Sequence, residues 1–271
     1  MRIAAFDSGI GGLTALAPLI RQNPVAEFHY MGDLANLPYG TKSPERVRGL
    51  ARSNIRWLLK THAKKKPFDL LIVACNTVSA QALDVVEEEC ARYRIPCVGV
   101  LEPGARKAMS SPAQRIVVLG TPSTVSSQAY VNTLLNLGCP TPVVQRACPL
   151  FVPLVEENIV EGPAANWIAR HYLDDLLRAD DAVILGCTHY PFLQSLLSSL
   201  YPGQNWIDAG AALLEDPKVQ VLLAQKKPNP DNTGLHLYFT DDTIGEARLK
   251  NTFKQLGLPS LIFEVQTVKI D

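Results

Sequence analysis

The sequence predicts an α/β fold with mostly parallel sheets, and three observations carry the prediction. Apolar runs of strand length alternate with helix-patterned stretches from end to end. Two of those runs, in DLLIVA (Asp69–Ala74) and DAVILG (Asp181–Gly186), are continuous beyond a leading aspartate, as strands covered on both faces are. The chain also echoes itself. Asp7 and Thr121 each follow an apolar run 114 positions apart, and Cys75 and Cys187 do so 112 apart. Two nearly equal offsets predict two similar halves that face one another with matched loops. The competing explanation is that α/β units resemble one another in any case.

Strands are expected at Ile3–Phe6, Glu27–Met31, Asp69–Ala74, Cys97–Val100, Ile116–Gly120, Val143–Ala147, Ala182–Gly186, Trp206–Asp208, Leu235–Phe239 and Leu261–Val265. Between them lie amphipathic helices. Ser43 and Pro44 supply an N-cap and a first-turn proline, and Val47, Leu50, Ala51, Ile55, Leu58 and Leu59 then recur at helical spacing. A second helix follows Thr77, with Leu83 and Val86 inward and Glu87, Glu88 and Glu89 as a solvated turn. Pro163 opens a third helix and Pro191 a fourth. Lys226–Asn232, rich in proline and asparagine, reads as a surface loop. The segments after it return to the first domain.

Composition narrows the function. The 271 residues are 47% apolar and 19% charged, which excludes wholesale disorder. The 26 basic and 26 acidic residues cancel, so the overall cationic excess of a nucleic-acid binder is missing. No stretch approaches the roughly 18 unbroken apolar residues of a membrane span. Asp7 arrives too early for a secretory leader. The six cysteines form no C-x-x-C pair, so free thiols in a reduced cytoplasm are expected. Metal binding is disfavoured, because neither H-x-x-x-H nor H-E-x-x-H occurs.

Cys75 and Cys187 stand apart from the other cysteines. Each ends an apolar strand, ahead of a helical start, and each is followed closely by a threonine (Thr77, Thr188). Strand carboxyl ends are where open α/β sheets bind ligands, and a helix start favours thiolate. Cys90, Cys97, Cys139 and Cys148 read as packing or loop residues. In Asp7-Ser8-Gly9-Ile10-Gly11-Gly12 the acid is either the cap of a glycine turn or a partner beside a reacting cysteine. The segment is neither a P-loop nor a completed dinucleotide motif. His189 is placed to assist proton transfer, with a structural role as the alternative, whereas His29, His62, His171 and His236 have no such context. Tyr39-Gly40 alone reads as a Pro-Gly turn, Thr121 and Thr124 as caps, anion donors or both, and Glu156 and Glu157 as solvated.

The segments FDSGIGGL, PYGTKS, VACNTVSAQAL, IPCVGVLEPGA, VLGTPSTV, CPLFVPLVEEN and ILGCTHYPFL, in this order, resemble the glutamate racemase family of the aspartate/glutamate racemase superfamily. They span most of residues 1–208, with looser similarity beyond. The resemblance implies two similar three-layer α/β domains with mostly parallel sheets facing across an interdomain active site. One domain is expected at 1–97 plus 208–271, and the other at 98–207. It implies cofactor-independent interconversion of L- and D-glutamate in the cytoplasm, supplying peptidoglycan, with glutamate as the small-molecule partner. Cys75 and Cys187 are then the two bases, Asp7 assists Cys75, and His189 and Glu156 assist Cys187. Substrate contacts carried over are Asp7, Ser8, Pro38, Tyr39, Gly40, Asn76, Thr77, Thr121, Thr124, Thr188 and His189. Departures are few: Ala209 stands where members often carry serine, and Leu34 and Asn36 are less typical.

Inverting a stereocentre by proton transfer needs a base and an acid on opposite faces, which two facing domains supply. Donors around the α-carboxylate then stabilise the carbanion-like transition state. The competing readings are an aspartate racemase, a Cys187–His189 thiol hydrolase that leaves Cys75 idle, and a two-lobed amino-acid-binding protein. Monomer and homodimer both stay open.

Overall fold

The computed structural model describes residues 1–63, 66–225, 234–258 and 260–270. The surface loop expected at 226–232 lies outside the described residues. Strands form at all ten expected places: β1 (Arg2–Asp7), β2 (Glu27–Gly32), β3 (Leu70–Val73), β4 (Cys97–Gly99), β5 (Ile116–Gly120), β6 (Val143–Ala147), β7 (Ala182–Gly186), β8 (Asn205–Asp208), β9 (Gly234–Phe239) and β10 (Phe263–Thr267). They make two sheets, β10-β9-β2-β1-β3-β4 and β6-β5-β7-β8, and each described pairing is parallel. Helices cover both faces of the central strands, which explains the fully buried runs of β3 and β7.

The internal echo has a topological basis. The order β2-β1-β3-β4 in one sheet repeats as β6-β5-β7-β8 in the other. Register makes the equivalence residue by residue. Phe6 pairs with Val73, two positions before Cys75, and Leu119 pairs with Leu185, two positions before Cys187. Asp7 is therefore equivalent to Gly120 and Ser8 to Thr121, so the pairing of Asp7 with Thr121 read from the sequence is off by one. Glycine-rich loops match by appearance, whereas strand pairing counts residues.

The inner faces of both sheets share one apolar cluster, including Ile3, Tyr30 and Ile72 from one sheet with Val118, Ile184 and Ile207 from the other. Each outer face has its own cluster, around Phe6, Val73 and Ile55 in one lobe and Leu119, Leu185 and Leu173 in the other. In the helix Pro44–His62 the Ser43 hydroxyl accepts the Arg46 amide at 3.3 Å, as its cap should, and the expected apolar stripe is buried. The helix after Thr77 comes as two pieces, Asn76–Gln81 and Leu83–Ala91. Glu89 corrects the solvated-turn expectation. It is buried, because Arg56 Nε at 2.9 Å and Arg52 Nη1 at 3.2 Å reach it from the facing helix, while Glu87 and Glu88 stay exposed. Pro191 sits in a 3₁₀ turn, Tyr190–Leu193, that feeds the helix Gln194–Leu200.

Strand pairing, together with the end of the helix Pro44–His62, also brings three histidines together away from the strand carboxyl ends, a grouping the sequence hides. His29 and His236 are register partners with rings 4.8 Å apart, and His62 lies 5.4 Å from His29. Glu27 Oε1 and Arg2 Nη2 both meet His29 Nε2, at 2.8 and 2.9 Å. Burial, then the Arg2 and His236 charges, push His29 down to about 4 against the pull of Glu27. Burial and the same two charges lower His62 as well. The unfolded chain takes these protons near 6.5, so it binds more protons than the folded chain between those values. Stability therefore rises with pH in that window. The expected result is a melting midpoint that falls as pH drops from about 7 to 5. A midpoint flat over this range, followed calorimetrically, refutes the argument.

Candidate active site

Asp7, at the end of β1, accepts the amides of Gly12 at 2.9 Å and Gly9 at 3.2 Å through Oδ2. The same carboxylate accepts the Thr188 hydroxyl of the other lobe through Oδ1 at 3.4 Å. Turn cap and site neighbour are thus one role. The turn has to carry glycine at 11. A Cβ there would stand 2.6 Å from Thr188 Oγ1 and 2.7 Å from His189 Nδ1. Gly40 makes the second close approach between lobes, since its Cβ would fall 2.5 Å from Thr121 Cβ.

Cys75 caps the helix Asn76–Gln81, with Sγ 3.7 Å from Ser8 Oγ. Burial, with the Asp7 charge behind it, pushes this thiol well above the ordinary range, although the Val78 amide and the Ser8 hydroxyl work the other way. Cys187 has different company. Its Sγ lies 3.9 Å from His189 Nδ1, and His189 Nε2 lies 2.6 Å from Glu156 Oε1. Burial opposes charge on His189, but the Cys187 sulfur and the Glu156 carboxylate outweigh it and push His189 up to about 10. The imidazole is therefore held as a cation beside one sulfur, and the other sulfur has no such partner. Linkage gives His189 the opposite sign to His29: its contribution is full below about 6.5 and is lost as pH rises through 10.

Cys75 and Cys187 line one tight cavity, about 60 Å³, from opposite lobes. Ser8, Pro38, Tyr39, Gly40, Asn76, Thr77, Thr121, Thr188 and His189 line it with them. Asp7, Thr124 and Glu156 stand behind that lining. Thr124 Oγ1 is 3.0 Å from Thr121 Oγ1, which is 3.1 Å from Thr77 Oγ1 across the lobes. Glu156 is not the solvated acid that its local sequence suggests, because His189 and Arg248 hold it, whereas Glu157 is exposed. The sequence reading missed the wall of Leu37, Thr41, Pro122, Pro149, Val152 and Pro153. Three of those lie in the quoted CPLFVPLVEEN segment, whose apolar side is the signal that could have found them.

Two supports behind the lining were also missed. Tyr130 donates to Asn76 Oδ1 at 2.7 Å, which leaves the Asn76 amide nitrogen as the group free to donate. Buried Asp33 holds the Pro38–Gly40 segment, accepting the Tyr39 hydroxyl at 2.5 Å, Thr240 at 2.6 Å and Asn54 at 3.1 Å. Among the described residues, one group has metal-ligand spacing: Glu27, His29 and His236, with donor atoms within 4.8 Å of one another. It lies outside the cleft, and the Arg2 guanidinium already bonds two of its members.

Fold and cleft together define a two-lobed parallel α/β protein, its site built where equivalent strand ends of the two lobes meet. The chain belongs to the Asp/Glu/Hydantoin racemase family, whose profile matches residues 16–216. It is 36% identical over 274 residues to the glutamate racemase of Sulfurihydrogenibium sp. (strain YO3AOP1), covering 100% of this chain and 97% of that one. The crystal structure of glutamate racemase from Thermus thermophilus in complex with beta-chloro-D-alanine superposes with a TM-score of 0.81 at 36% identity, covering 99% and 96% of the two chains. That of Francisella tularensis subsp. tularensis SCHU S4 glutamate racemase in complex with D-glutamate gives 0.83 at 28% identity, with 100% and 98% covered.

Proposed function

We propose that this chain interconverts L- and D-glutamate by moving the α-proton between Cys75 and Cys187, with no cofactor. The observation that carries this reading is the pair of sulfurs at register-equivalent strand ends, lining one cavity from opposite lobes. In one direction the Cys187 thiolate, paired with cationic His189, takes the proton: the Cα–H bond breaks and an S–H bond forms. Cys75, held as a thiol by burial, gives its proton to the other face of the same carbon. The reverse reaction exchanges the roles. Ser8, Asn76, Thr77, Thr121 and Thr188 supply hydroxyl and amide donors for the substrate carboxylates and for the charge that develops at Cα. Asp7 positions the Cys75 side and Thr188, and Glu156 fixes His189. Pro38, Tyr39 and Gly40 close the cleft, with Thr124 bracing Thr121.

A cavity this small is a closed state, so substrate enters by separation of the lobes. We take the lobes as 1–97 with 208–271, and 98–207. The assignment of glutamate follows what the relatives are named for, and one solved relative holds D-glutamate. On this reading the reaction takes place in the cytoplasm, where it supplies D-glutamate to peptidoglycan.

The test uses reduced protein and L-glutamate in D2O with no added cofactor, following optical rotation and α-deuterium together. Inversion with deuterium entering the product is expected, with aspartate slower by about a hundredfold or more. Folded protein that neither inverts nor exchanges glutamate overturns the reading.

A further inference from the structure

The geometry points to Arg248 as the positioning residue of the Cys187 side: from one lobe it holds Glu156 of the other against His189, and so completes the chain of contacts to Cys187 only when the lobes are closed. The inference rests on the two-thiol reading above. Arg248 lies on the helix Glu246–Gln255, between β9 and β10 of the larger sheet. Glu156 ends the helix Phe151–Glu156, after β6 of the smaller sheet. Arg248 Nη2 reaches Glu156 Oε2 at 2.5 Å, while Oε1 of the same carboxylate meets His189. Each oxygen therefore has one cationic partner, and the two partners come from different lobes. No sequence motif marks this contact, which spans 92 positions.

The surroundings favour a directed role. On the same helix Lys250 pairs with Glu246 at 2.6 Å, which leaves Arg248 to Glu156. Gln255 of the same helix reaches Asn158 at 3.2 Å, so the helix touches the Glu156 segment at two points, one charged and one neutral. The Glu156 side chain is 20% exposed. Without Arg248 its carboxylate has water to turn toward, and His189 then loses one of the two partners, the Cys187 sulfur and Glu156, that keep it cationic. Opening of the lobes has the same effect, because Arg248 and Glu156 move apart with them. The charged groups that face Glu156 are His189 and Arg248, and those that face His189 are Glu156 and the Cys187 sulfur.

The experiment compares Arg248→Gln, Arg248→Lys and Gln255→Ala with wild type. With 2-deuterated L- and D-glutamate, Arg248→Gln should lower kcat about tenfold. It should also raise the primary isotope effect for one enantiomer only, the one whose proton passes to Cys187. Arg248→Lys should restore much of the loss, and Gln255→Ala should leave both isotope effects unchanged. Equal changes for both enantiomers, or the same changes in Gln255→Ala, reduce Arg248 to an interface contact and overturn the proposal. A second arm needs no substrate. In ¹⁵N-histidine-labelled protein, the His189 titration midpoint should fall by about one unit in Arg248→Gln. A midpoint unchanged or raised overturns the proposal. Wild type that fails to turn over glutamate sinks the two-thiol reading instead, and leaves this arm interpretable.

Discussion

Cys75→Ala and Cys187→Ala will each lose inversion of glutamate by at least about 10³-fold while remaining folded. Both sulfurs are buried in the cavity wall, and alanine leaves no proton carrier on that face. The informative part is what remains. With one sulfur gone, the other can still take a proton from the single face it meets and return a solvent-derived one to the same face. Each variant is therefore expected to exchange the α-proton of one enantiomer with retention, and the two variants should choose opposite enantiomers. NMR of the α-position in D2O reads this directly. Exchange of the same enantiomer by both variants, or full inversion by either, would rule out one base per face.

The second large effect is structural in origin. Asp33→Ala removes a carboxylate that accepts the Tyr39, Thr240 and Asn54 donors, two of which are buried side chains with no water to replace it. Orphaned buried donors cost about 3 kcal/mol here, or roughly a 6–10 °C fall in Tm. Because Tyr39 and Gly40 line the cavity, KM for glutamate should rise as well. Asp33→Asn keeps acceptor oxygen and shape, and should recover most of the Tm. An Asp33→Ala protein with wild-type Tm and KM would show that the Pro38–Gly40 segment holds its place without this anchor.

What the sequence made legible was whatever is written locally. Central strands such as β3 and β7 were readable because parallel strands between helix layers must be apolar along their length, and Ser43-Pro44 announced a helix start because a cap acts within three residues. The two cysteines stood out because each ends such a strand. Glu89 was misread because its neighbours in sequence are acids, while two of the three arginines that neutralise it, Arg52 and Arg56, lie more than 30 positions away on another helix. Arg248 was silent for the same reason, since Glu156 lies 92 positions away; Asp33 has Tyr39 within six positions, but Asn54 and Thr240 reach it only through folding. The histidine cluster was hidden too, since His29 and His236 meet only through the pairing of β2 with β9.

The repetition of one strand order in both lobes carries a consequence for kinetics. Two copies of a unit made of L-residues are related by a rotation, never by a reflection. L- and D-glutamate are reflections of each other, so the cleft cannot give them equivalent surroundings. The inequality is visible at the sulfurs, a serine hydroxyl near one and an imidazole near the other. Mirror-image molecules nevertheless have equal free energy in water, which obliges kcat/KM to be the same in both directions. The handedness of the chain must then surface in kcat and in KM taken singly, each differing between the two substrates by a factor that the other cancels.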